Sequence, residues 1–194
     1  MGNLLTYSGS TTKIRAIRSR LMTENNYREL SILKNVTEAL TYLKKHPGYQ
    51  KLLAGIEEST MHRADIEKIL NNAIYIDFQN IYRFASVGQR KLLDIYFKRY
   101  EIAILKRCMR MIFDHRNILL DLTIFQTFFE NHSHIDLQKI TECRTLEEFM
   151  NNLKGSIYYE PLSRLSNLSR PTLWDYEMAM DLFYFKWFYF MWFF

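Results

Sequence analysis

His132-Ser133-His134, with Glu130 and Asp136 beside it, is the densest set of metal-ligating residue types in the chain. Two alternate histidines converge on one ion only on a strand or a special turn, and the spacing fixes no third ligand. The segment therefore reads as a solvated loop. Cys108 and Cys143 stand far apart without a C-x-x-C spacing, which gives neither a disulfide framework nor a zinc site and fits a reducing compartment. Cys108 falls inside a helical apolar pattern and reads as a small core residue. The carboxylate pairs Glu57-Glu58 and Glu147-Glu148 sit at or near helix starts, where the macrodipole favours negative charge, so capping is their expected role. No phosphate-binding glycine loop, dinucleotide turn, H-E-x-x-H or G-x-S-x-G pattern occurs. Neither a cofactor nor a metal is expected.

The cations carry more information. Arg99, Ala103, Lys106 and Arg110 follow one another at four, three and four, which lines three positive charges along one helix face. Arg15 and Arg18 form a smaller pair one turn apart near the chain start. Such a stripe is either a solvated face balanced by neighbours such as Glu101 or Asp114, or a surface that receives an acidic partner.

The elements that must position these residues are helical. The 194 residues include only three Pro and six Gly, too few breakers for a many-turned β protein, and 48% are apolar, enough for a sizeable core. The formal charge is +5. No uncharged apolar stretch reaches the roughly 18 residues that span a bilayer. Ile14, Ile17 and Leu21 mark an opening helix. Asn35, answered three residues later by Glu38, caps a short helix carrying Val36, Leu40 and Leu43 that stops at His46-Pro47-Gly48. Thr60 opens a longer one through Phe84, and Ser86 with Gln89 forms a capping box for a long helix reaching about Phe113. Thr145 with Glu148 caps another that closes near Gly155.

Shifted by 110 positions, the chain matches itself. Glu38 falls on Glu148, Leu43 on Leu153, Tyr49 on Tyr159 and Asp65 on Asp175, among eight identities in the 33 positions 35–67. About two are expected by chance. The expected organisation is therefore two helical modules in tandem, residues 1–115 and 116–194, with the second incomplete at its C-terminal end. In this alignment positions 183–194, where ten of twelve residues are aromatic, fall on 73–84. Trp187, Tyr189, Phe190 and Phe193 replace Asp77, Gln79, Asn80 and Arg83 there. A helix with that composition must be buried or expose a large apolar patch. The expectation is a chain truncated before a third module.

The opening Tyr7 with Lys13-Ile14-Arg15-Ala16-Ile17-Arg18-Ser19-Arg20-Leu21, the set Arg99-Tyr100-Glu101, Leu105-Lys106 and Arg110, and the segment Glu177, Asp181 and Tyr184 together resemble one family. It is the prokaryotic C or eukaryotic d subunit of the rotary V-type and A-type ATPases. The resemblance implies an all-α funnel of similar modules and a non-catalytic role. It implies a place at the cytoplasmic face of a membrane, as a peripheral socket between the central-stalk rotor subunits and the proteolipid rotor ring, in a complex that moves protons or sodium. Arg15, Arg18, Arg99, Lys106 and Arg110 are the expected partner-facing residues. The chain departs from the family in its length and its aromatic end. The competing reading is a basic helical nucleic-acid-binding module, suggested by a pI near 9.1 and by aromatics interleaved with Lys and Arg. Against it, the cations are spread over every helix, so no nucleic-acid partner is expected.

Overall fold

The computed structural model describes residues 2–57, 61–116, 122 and 126–193. The fold is all-α: ten α-helices and no strand occur among the described residues. They are α1 (Gly2–Arg18), α2 (Glu24–Ser31), α3 (Val36–Lys45), α4 (Arg63–Phe84), α5 (Val87–Phe113), α6 (Gln126–His132), α7 (Leu137–Glu142), α8 (Leu146–Asn152), α9 (Tyr159–Ser163) and α10 (Leu173–Phe193). Two compact units divide them, residues 1–90 and 91–194. The expected repeat boundary at 115 marks where a pattern recurs, whereas the division at 90 separates two units that are each densely packed within themselves, so the two describe different properties. The backbone of α5 runs through the division without a break.

In the first unit, Leu40 and Leu43 of α3 and Ile66 of α4 bury around Leu53, with Met22, Leu30 and Leu70 packed on them. Local chemistry sets the helix ends. Asn35 Oδ1 accepts the Glu38 N–H at 2.8 Å, and Ser86 and Gln89 close a reciprocal box through Ser86 N–H to Gln89 Oε1 at 2.9 Å. The expected start of α4 at Thr60 lies outside the described residues. The helix itself begins at Arg63, where Asp65 Oδ2 accepts the His62 N–H. Helix α1 stops at Arg18, so Leu21 is outside it and exposed, and Ile14 is exposed within it. What fixes α1 is polar: Ser10 is buried and donates to Gln89 Oε1 at 3.3 Å, and Lys13 lies over the Phe84 ring. Gly48 sits where the chain doubles back on Arg20, and a Cβ there would stand 2.3 Å from the Arg20 carbonyl oxygen.

The second unit centres on α5, whose Phe97, Leu105 and Met109 are buried with Phe149, Leu153 and Leu162 from α8, the turn after it and α9. Tyr176 and Met180 of α10 join the same core. Thr145 and Glu148 cap α8 reciprocally, as their spacing anticipates. Element starts recur at the sequence offset. Helices α3 and α8 begin at Val36 and Leu146, and α4 and α10 at Arg63 and Leu173. Asp65 and Asp175 each reach back to the residue before their helix, His62 and Thr172.

Candidate functional site

The basic stripe meets a matching acidic one inside the second unit. Lys106 and Arg110 lie one turn apart on α5, and Glu177 and Asp181 lie one turn apart on α10. Lys106 Nζ pairs with Asp181, and Arg110 grips Glu177 with two nitrogens, one of them 3.0 Å from Oε2. A step of four forward on α5 is matched by a step of four backward on α10, so the two helices run antiparallel along this ladder. Hydrogen bonding to Arg110 holds the Glu177 carboxyl below the usual carboxylate range. Lys106 is mostly buried, whereas Arg110 is largely open to solvent. The carboxylates suggested as neighbours by sequence have other partners: Glu101 pairs with Lys98, and Asp114 with Arg116.

Arg99 is exposed and lies close enough to Tyr184 to bias its hydroxyl toward ionisation, although burial dominates and raises that group overall. Arg15 and Arg18 are exposed in the last turn of α1, where the helix dipole favours positive charge. The sequence-derived cations thus differ in state. Lys106 and Arg110 are neutralised within their own unit, while Arg15, Arg18 and Arg99 project into solvent.

The feature that spacing alone did not reveal is a buried polar cluster elsewhere on α5. Glu101 is 0% exposed. Its Oε2 takes Lys98 Nζ at 2.7 Å and the Tyr158 hydroxyl, and its Oε1 accepts from Ser133 Oγ at 2.6 Å. Burial, with the Glu101 charge beside it, pushes the Tyr158 hydroxyl strongly up, so it remains a proton donor. One carboxylate thereby ties α5 to the end of α6 and to the start of α9. No buried side-chain nitrogen or oxygen lacks a hydrogen-bond partner among the described residues.

The histidine segment is solvated, as its spacing suggests, at Glu130, His134 and Asp136, which are exposed, but not at His132. His132 ends α6 and packs on the rings of Phe97 and Phe128 at 5.3 and 5.4 Å, where burial lowers its pKa. Ser133 is spent on Glu101. Among the described residues, no group of three or more His, Cys, Asp or Glu is placed to hold a metal. Cys108 is buried in the core, which pushes its thiol up to about 12, outside the range of a reactive thiolate.

Two motif segments far apart in sequence, on α5 and on α10, thus meet as one charged ladder. The family described as ATP synthase (C/AC39) subunit matches residues 10–191. The chain belongs to that family. Among curated relatives, the C subunit of the A-type ATP synthase from Methanocaldococcus jannaschii is 23% identical over 191 residues, covering 95% of this chain and 46% of the relative. The chain therefore spans about half the length of that C/AC39 relative. No solved structure matches it. Among the described residues, no helix of this C/AC39 chain is long and apolar enough to cross a membrane.

Proposed function

We propose that this chain serves in a non-catalytic coupling subunit of a rotary V/A-type ATPase, peripheral at the cytoplasmic membrane face, which links the central-stalk rotor subunits to the proteolipid ring during proton or sodium transport. The observation that carries this reading is the family match across residues 10–191. The coverage of only 46% of the relative supports assigning the chain's tandem modules to a longer, three-module funnel. The mechanism is mechanical. Helices packed at near-crystalline density transmit a load without deforming, and no residue needs a tuned pKa for that.

In this reading Arg15, Arg18, Arg99, Lys106 and Arg110 form the partner-facing set, acting in two ways. The exposed Arg15, Arg18 and Arg99 meet acidic groups on the stalk or ring and set orientation and on-rate. Lys106 and Arg110 hold α10 against α5 and so keep the face in shape. The test is co-purification of the chain, within its full-length protein, with stalk and ring subunits. Reversing Arg15, Arg18 and Arg99 to Glu is expected to slow assembly and to make it less sensitive to salt. Assembly unchanged at low and high ionic strength would remove these residues from the interface. Capture of single-stranded nucleic acid with a steep salt dependence would favour the basic-module reading instead.

A further inference from the structure

His132 closes α6 with its imidazole seated among rings. Phe97 and Phe128 stand 5.3 and 5.4 Å from it, centroid to centroid, and Phe128 and Phe129 close on Phe97 at 5.2 and 5.7 Å. All three phenylalanines are buried. The next residue carries a polar tie. Ser133 Oγ donates to Glu101 Oε1 at 2.6 Å and accepts the Ile135 N–H at 3.2 Å. Asp136 then caps α7 through the Lys139 N–H. The link between α6 and α7 is therefore pinned to α5 by a hydroxyl that adjoins a titratable ring.

These surroundings suit imidazole and not imidazolium. The neutral ring is a flat, largely apolar body, whereas the cation forfeits its hydration among phenylalanines. Phe97 also carries a cation already: Lys98 Nζ lies over that ring at 5.5 Å, paired with the buried Glu101. A second cation against the same ring would meet like charge. Among the described residues, the charges that face His132 are Asp94 and Lys98 of α5, while Glu130 of its own helix and the nearby His134 are exposed. Burial prevails over the attraction of Asp94 and, with Lys98 acting the same way, holds the group below its ordinary value of 6.5. At the offset of 110 positions His132 falls on Met22, which packs on the core of the first unit. The second unit thus has a proton acceptor where the first has an apolar side chain.

We propose that His132 and the Ser133–Glu101 hydrogen bond form an acid-released latch on the link between α6 and α7. The neutral imidazole stays among the rings and keeps Ser133 on Glu101. A proton taken from solvent turns it into a cation that leaves the rings toward Asp94, and Ser133 is drawn off the carboxylate. Because the folded group is held low, the closed latch is fully favoured above about pH 6.5 and is lost as pH falls through the lowered value. The latch goes beyond the rotor reading and its test is separate. Every part of it lies in this chain, and its opening can be measured with no stalk or ring present.

Amide hydrogen exchange of the chain within its full-length protein, followed over residues 126–141 and corrected for the intrinsic effect of pH, reads the latch. Protection of α6 and of the Ile135 N–H is expected to fall about threefold or more between about pH 7 and pH 5, with helicity by circular dichroism unchanged. His132→Phe keeps a ring and removes the proton, so its protection should not respond to pH. Asp94→Asn should move the midpoint of the response to lower pH, a shift that a merely structural role would not produce. His134→Gln should respond as the unaltered chain does. Protection that is the same at both pH values overturns the proposal, as does a response that survives in His132→Phe. Loss of helicity over the same range would mean global acid unfolding and overturn it too.

Discussion

Glu101 shares its helix face with Phe97, Leu105 and Cys108, and a carboxylate at such a position survives burial only with its charge matched and its lone pairs occupied. Lys98, Tyr158 and Ser133 supply both requirements. Glu101→Ala would leave the Lys98 ammonium buried without a counter-charge, and is expected to cost about 3–5 kcal/mol in urea denaturation. Tyr158→Phe, which removes one donor and keeps the ring, should cost about 1–3 kcal/mol. In the sequence Glu101 looks like a solvated counter-ion for the basic stripe, because its neighbours at three and four residues are charged as well as apolar. Its burial comes with Ser133, just after α6, and Tyr158, at the start of α9, closing on that side of α5, a tertiary fact that no local pattern encodes. Gly48 is similar: Gly48→Ala would push a methyl into the Arg20 carbonyl and is expected to lower stability by about 1–3 kcal/mol, read from the urea midpoint. Glu177 contributes through protonation. Its folded pKa lies below the unfolded value of about 4.3, so its contribution is present above that pH and disappears as pH falls through the lowered value. The pair is partly solvated, so the effect should be about 0.2–1 kcal/mol. Arg110→Ala should abolish that part of the acid slope in urea midpoints measured between about pH 5 and pH 3.

Helices α5 and α10 are held in register by two ion pairs of unequal depth. A double-mutant cycle on Lys106→Ala and Asp181→Ala should give a coupling of about 0.5–3 kcal/mol, larger than the same cycle on Arg110 and Glu177, because Lys106 is the more buried cation. Equal couplings would mean that burial does not strengthen the inner rung. At this scale the sequence was readable wherever the determinant lies within one turn. Asn35 with Glu38, Ser86 with Gln89 and Thr145 with Glu148 placed three helix starts correctly, since a capping box involves only four consecutive residues. Helix α2 went unread although Thr23 and Asn26 cap it, because none of its eight residues is buried and no apolar stripe marks it. Helices α6, α7 and α9 have seven, six and five residues, too short for a period of 3.6 to declare itself. The ladder was half legible: both i,i+4 pairs are visible as spacings, but which acidic stripe answers the basic one depends on the path of 60 or so intervening residues.

Across the whole chain, the offset of 110 positions aligns both the caps and the helix starts of α3 with α8 and of α4 with α10. Residues 35–71 are expected to superpose on 145–181 by crystallography with the helices in the same order and direction, and unrelated arrangements would dissolve the repeat. The aromatic end shows where the alignment stops being informative about environment. Phe78 is buried in α4, whereas its counterpart Phe188 in α10 is exposed, since the polar residues that solvate one helix are replaced by rings in the other. Those rings have an optical consequence. All three tryptophans, Trp174, Trp187 and Trp192, belong to α10. Excited at the red edge of its absorption, the molecule therefore emits from a single helix, and the spectrum of the entire chain is a local one. A soluble quencher reaches the exposed Trp174 before Trp187, which leans on Phe183 at 5.8 Å. Any event that covers, frays or turns α10 can be followed in real time in the unlabelled 194-residue chain.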